Sequence, residues 1–255
     1  RWFAHHLKGQ ATGVADDPVV RYYVMGAVGE EGAPGNRWRT ATDWPPASER
    51  TALYFQAGGG LATREPSVAR SGSRYTSDPR QPMQIPGRSF PGARDARPFE
   101  KQAEVLTFTS SILTRPVEWT GKVDAELYVS STARDTDVIV RVCDVYPDGR
   151  SILIVDYPWR MRYREGFRQE VLMAPGEVYK VAFRVGWLSQ VFNKGHRIRV
   201  TVASTGSPLY EPNPQNGRPL TIEFPGDAVK ATNTIHHDRQ HASRILAPVI
   251  SSLRE

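Results

Sequence analysis

The sequence predicts an all-β fold of sandwich or jelly-roll type, and three observations carry that expectation. After Val19 nearly every apolar run is short, rich in β-branched or aromatic residues, and bounded by Gly, Pro, Asn or Asp. Within those runs apolar and polar side chains alternate at a period of two. No helix-length periodic segment separates them, which argues against βαβ units, and no repeat of blade length points to a propeller.

The one exception comes first. In residues 1–8 Phe3 and Leu7 are four apart, Trp2 flanks them, and Gly9 stands where a left-handed cap would close a helix. Two helical turns are unstable alone in water, so this segment is expected to pack on this domain or on a neighbouring one. Strands are then expected at residues 19–25, 51–56 and 105–110. The clearest is 122–129, where Val123, Ala125, Leu127 and Val129 share one face and Lys122, Asp124, Glu126 and Tyr128 the other. Strands at 137–145 and 151–156 flank Tyr146-Pro147-Asp148-Gly149, a hairpin turn in which proline presets φ and glycine accepts a positive one. Residues 178–185 place Tyr179, Val181, Phe183 and Val185 on one face, and Asn193-Lys194-Gly195 turns the chain into a strand at 196–204. Segments 220–224, 232–236 and 244–250 complete the set, and 62–102 and 205–219 read as long loops of the kind that are functional or lie against a neighbour.

Composition narrows the function classes. With 33 Lys and Arg against 27 Asp and Glu the net charge is +6, but the arginines are spread along the chain among acids, unlike a nucleic-acid footprint. No apolar run reaches the ~18 residues of a membrane-spanning helix. The single cysteine, Cys143, sits between strand residues as a small buried hydrophobe and makes no internal disulfide. One cysteine and no visible leader favour the cytoplasm, and a start at Arg1 without methionine reads as a fragment.

The chemistry-bearing motifs are few. No G-x-S-x-G elbow occurs: Ser71-Gly72-Ser73 and Ser204-Thr205-Gly206-Ser207 lack the flanking glycines. P-loop, H-E-x-x-H and EF-hand patterns are absent, and Gly58-Gly59-Gly60 reads as a plain turn. His236, His237, Asp238 and His241 form the one histidine cluster; His237 and His241 at i, i+4 would share a metal on a helix, but the strand-like flanks favour a hydrogen-bonding role. Asp135 and Asp137 read as a turn or loop network. From Tyr157 to Arg164 aromatics alternate with arginines at strand period, which separates stacking groups from charges and points to an aromatic face backed by arginines paired with acids.

Taken together, Trp2-Phe3 with Leu7-Lys8-Gly9, Asp43-Trp44-Pro45, Leu127-Tyr128-Val129-Ser130-Ser131, Asp135-Thr136-Asp137, Pro147-Asp148-Gly149-Arg150, Gly195-His196-Arg197 and His237 with His241 and Ser243 form a familiar series. It resembles the C-terminal part of the serine hydrolases grouped as X-Pro dipeptidyl-peptidase and cocaine esterase, over essentially the whole chain. The resemblance implies a galactose-binding-like jelly-roll β-sandwich that follows an α/β-hydrolase domain and a helical cap, with the Ser-His-Asp triad upstream. Residues 1–9 would then be the end of the last hydrolase helix, 10–104 linking strands and a long loop, and 105–255 the main body of the jelly roll, packed with the strands of 10–104 as one domain. No catalytic role passes to any residue here, His5 and His6 included; no cofactor and no metal ligand are assigned. The strand resembling 123–131 borders the substrate pocket in that family, which makes Leu127 and Tyr128 the residues expected to reach an acyl group. The implied partner is the hydrolase domain of the same parent protein, with dimer contacts as a further use and neither nucleic acid nor membrane involved. A severed interface should leave an apolar patch around Trp2 and Phe3. The alternative from another class is a free-standing carbohydrate-binding jelly roll with exposed Trp and Tyr as sugar platforms; nucleic-acid binding ranks third.

Overall fold

The computed structural model describes residues 1–85, 94–219 and 226–250. Its elements in order are α1 (Trp2–Lys8), β1 (Val20–Val24), β2 (Arg37–Ala41), β3 (Glu49–Gln56), β4 (Gly60–Ala62), β5 (Gly72–Ser77), α2 (Arg97–Glu100), β6 (Leu106–Ser110), β7 (Val117–Ser131), β8 (Asp137–Val145), β9 (Ser151–Arg160), β10 (Tyr179–Phe192), β11 (Arg197–Ala203), β12 (Ala231–His236) and β13 (Arg244–Val249). The all-β expectation holds. β1 and β2 form a separate two-stranded ribbon, and the other strands join one curled sheet in the order β5-β12-β7-β13-β3-β4-β6-β11-β8-β9, with β10 along β7.

β7 and β8 organise the interior. In β7 the predicted alternation is realised, with Val123, Ala125, Leu127 and Val129 all at 0% exposure. β8 is buried along its whole length, between β11 on one side and β9 on the other. Phe55 from β3 stacks on Phe108 from β6 at 4.1 Å, and Trp119 meets Phe192 edge-on at 5.0 Å. The sheet's far end curls back on itself: Trp159 of β9 stacks on Phe183 of β10 at 5.4 Å with planes 11° apart. At this seam β10 carries a bulge between Arg184 and Gly186. A Cβ at Gly186 would stand 2.4 Å from Val155 Cγ2, so opposite valine the approach admits only glycine.

The 146–149 hairpin forms as read, with Gly149 at φ 87° and Tyr146 N–H donating to the Arg150 carbonyl at 2.8 Å. Several boundaries differ. β7 and β10 extend well beyond 122–129 and 178–185, because Gly121 and the bulge read as strand ends while the ladder runs through both. The stretch 62–102 is not a continuous loop, since it contains β5 and α2. β5 has one apolar side chain, Tyr75, and is held by six-residue pairing with β12 and by a Tyr75–Ser204 hydroxyl contact at 2.8 Å. β2 also escaped the sequence pattern: Arg37, Trp38 and Thr40 are exposed, so it has no core face to advertise. The strand expected at 220–224 lies outside the described residues.

Candidate functional site

Among the described residues three serines, Ser71, Ser73 and Ser130, touch imidazoles, and the geometry decides whether any of them forms a triad. His237 lies one residue past β12 with its ring buried, and the strand's alternation turns it inward beside Ile235. Ser71 Oγ lies 3.0 Å from its Nδ1 and Ser73 Oγ 2.9 Å from its Nε2. A catalytic imidazole gives one nitrogen to the nucleophile and the other to an orienting carboxylate. Here both nitrogens are taken by hydroxyls. The adjacent Asp238 turns away, its Oδ1 accepting the backbone N–H groups of Gln240 and His241 at 2.9 Å each. Burial holds the His237 pKa below the ordinary imidazole value, so the ring is a neutral bridge between β5 and β12. Ser130 Oγ meets His236 Nε2 at 2.9 Å, again with no carboxylate hydrogen-bonded to that ring. Among the described residues no serine, imidazole and carboxylate line up as a relay.

The histidine cluster divides differently from the i, i+4 expectation. There is no helix here, and His237 faces the interior, so it shares no face with His241. Parity instead sends His236 outward, where His236, Asp238 and His241 come together at the corner between β12 and β13. They open on a cleft of about 660 Å³ that Ser71, Gly72 and Arg74 also line. Burial and the neighbouring His241 lower the His236 pKa. Burial pushes Asp238 up, but the N–H groups of His241 and Gln240 and the His241 ring outweigh it, and its carboxyl is held below the usual range.

The same corner receives Tyr128. Its backbone N–H donates to Ser243 Oγ at 2.9 Å, and its ring meets His241 edge-on at 5.3 Å. Leu127, its neighbour, points the other way into the core and has no exposed surface.

Asp135 and Asp137 form a buried network with the arginines of the aromatic stretch. Arg162 donates through Nε to Asp135 Oδ2 at 2.7 Å, and Arg160 donates through Nε to Asp137 Oδ1 at 2.8 Å. Asn213 Nδ2 bridges both carboxylates at 2.8 Å. Strand period stops at Arg160: Met161–Tyr163 is a helical turn that buries Met161 and Arg162 together, so Arg162 is not on an arginine face opposite Met161. These guanidiniums are thus engaged by carboxylates of the domain itself.

Sequence reasoning missed a second buried network because its members are far apart in the chain. His196 lies between Asp144, 2.7 Å from Nδ1, and Glu30, 2.8 Å from Nε2, with the Tyr146 ring 4.4 Å away. Burial pushes the Asp144 carboxyl up to about 6, against the pull of His196.

The N-terminal surface is the opposite of these interiors. α1 buries no residue, and Trp2, Phe3 and Leu7 are 57%, 70% and 74% exposed. Beyond it Trp38 packs edge-on against Tyr23 at 5.5 Å, and Trp44 bridges Tyr22 and Trp187 at 5.3 and 6.3 Å.

Residues 12–246 match the family described as the X-Pro dipeptidyl-peptidase C-terminal non-catalytic domain. The chain belongs to this family. Among its curated relatives, the cocaine esterase of Rhodococcus sp. (strain MB1 Bresler) is 37% identical over 98% of this chain and 45% of its own length. An aminopeptidase from a marine sediment Thaumarchaeota archaeon superposes with a TM-score of 0.87 at 28% identity, over 98% of this chain and 43% of that one. An α-amino acid ester hydrolase gives 0.80 at 29% identity, over 84% and 39%. The chain thus spans under half the length of the relatives it matches. The relatives matched by this X-Pro dipeptidyl-peptidase C-terminal domain are themselves named as esterases, an ester hydrolase and an aminopeptidase.

Proposed function

We propose that this domain serves a serine-type α/β-hydrolase domain of the same parent protein, buttressing it and bordering its substrate pocket. In this reading the parent cleaves esters or amides, X-Pro peptides among them, through an acyl-enzyme, and the chain itself supplies no reacting group. The observation that carries the proposal is α1. A seven-residue helix gains too little from its own hydrogen bonds to persist, and this one buries none of its apolar side chains against the domain. Its exposed Trp2, Phe3 and Leu7 fit the end of a longer helix whose packing surface belongs to the hydrolase domain. The ribbon aromatics extend that docking face. At the pocket border Tyr128 acts through its exposed edge, and Leu127 fixes the strand from inside the core.

The test has two arms. The 255-residue chain is expected to turn over p-nitrophenyl acetate no faster than its Ser71→Ala/Ser73→Ala variant. Turnover abolished by that variant, or by His237→Gln, would place the chemistry here and overturn the reading. Appending the upstream reading frame is expected to give activity and to protect Trp2 and Phe3 from hydroxyl-radical footprinting; unchanged labelling would remove the docking role.

A further inference from the structure

We propose that the corner between β12 and β13 is a transition-metal site that takes Zn2+ through His236, Asp238 and His241. The donor atoms these three residues offer lie within 4.8 Å of one another. Tetrahedral Zn2+, with bonds of about 2.0–2.1 Å to nitrogen and oxygen, holds its ligands roughly 3.3 Å apart. Asp238 Oδ2 and His241 Nδ1 already stand at 3.4 Å, in a hydrogen-bonded contact that the metal would replace. Only His236 has to close in, by a ring movement of about 1.5 Å at most.

The surroundings favour ligation. A metal-binding imidazole commonly engages its second nitrogen in a hydrogen bond, which fixes the tautomer and aims the first. In the proposed site Ser130 Oγ, 2.9 Å from His236 Nε2, plays this part and Nδ1 is the ligating nitrogen. Asp238 is fixed likewise: its Oδ1 accepts two backbone N–H groups at 2.9 Å, and Oδ2 is the freer oxygen. The corner is tight because the chain reverses between His237 and Ala242, which are bridged as partners, so the ligands sit on one short turn. Two imidazoles and one carboxylate suit Zn2+ better than Ca2+ or Mg2+, which require oxygen donors. Three protein ligands leave a fourth position facing the cleft, where water completes the shell. Arg74 lines the same cleft but is exposed, so solvent and salt screen its charge. His237 takes no part, since both its nitrogens are held by serines.

The experiment titrates the EDTA-treated 255-residue chain with Zn2+ by calorimetry and with Co2+ by visible absorption. One saturable equivalent, a tetrahedral Co2+ spectrum and a rise in Tm reversed by EDTA are expected. His241→Gln and Asp238→Asn should each weaken Zn2+ by more than about ten-fold, and Ser130→Ala by about ten-fold. His5 and His6, with rings 4.8 Å apart on α1, are a competing imidazole pair, and the His5→Gln/His6→Gln variant should bind as wild type does. Far-UV circular dichroism in EDTA checks that each variant is folded; if His241→Gln is not, His236→Gln carries the same test. Imidazole nitrogen shifts of the wild-type chain on adding Zn2+ identify the ligating atoms without any variant. Absence of saturable binding below about 1 mM, affinity unchanged in the corner variants, or loss of binding with the α1 pair would overturn the site.

Discussion

The body around β7 and β8 and the N-terminal segment carrying α1, β1 and β2 use the same residue types in opposite ways. In the body Phe55, Phe108, Trp119 and Phe192 are sealed from solvent, and even the charges of Asp135 and Arg162 are buried and paired. In the N-terminal segment Trp2, Phe3 and Trp38 lie open, and the charged pair Arg1–Asp17 is largely exposed. The body covers these side chains by itself. The N-terminal segment leaves apolar surface unsatisfied, which costs solubility and is retained where another surface covers it.

This contrast can be broken by experiment. The largest effect is expected for Asp135→Ala, which leaves the buried Arg162 Nε and backbone N–H unpaired, with only Nη1 still held by Glu170 and the Arg218 carbonyl, and also removes a partner of Asn213. Urea unfolding should show a loss of about 3–5 kcal/mol; a loss within the range of an ordinary surface substitution would mean that the network contributes little.

A smaller effect, with a definite sign, is expected at Asp144. Its carboxyl is raised from 3.8 to about 6 in the fold, so the native state holds a proton that the unfolded chain releases. The contribution from this group is fully present below about pH 4 and is lost as pH rises to about 6, with a ceiling of about 3 kcal/mol. Wild type should therefore lose stability relative to Asp144→Asn between those limits. Parallel stability curves for the two proteins would remove the carboxyl from the account.

The smallest effect is expected from deleting residues 1–9. α1 buries nothing, so the urea midpoint of the isolated chain should move by no more than about 0.5 kcal/mol in free-energy terms. A large loss would show that the helix serves this domain and not a neighbour.

The same contrast governs what the sequence made legible. β7 could be read over 122–129 because burial alternates there with hydrophobicity, and β8 because its apolar run lies between turn signals, although Asp137, Arg141 and Asp144 are buried with it. β5 and β2 could not, since β5 is held by backbone pairing and a hydroxyl contact around a single tyrosine, and β2 has no buried face. The family series was readable across the chain, yet the joining of Glu30, Asp144 and His196 is a tertiary event with no local signature. The histidine corner stood between these cases. Strand parity separates His236 from His237, whereas helical spacing pairs His237 with His241, and the choice of period decided which residues were grouped.

The seam at Gly186 has a consequence for how this domain can drift. Val155 occupies the space where any side chain at 186 would begin, so positions 155 and 186 form a single steric unit despite lying on different strands. A larger residue at one is admissible only with a smaller one at the other. Homologues that lose this glycine should therefore carry a truncated neighbour across the gap, or part the sheet along that seam.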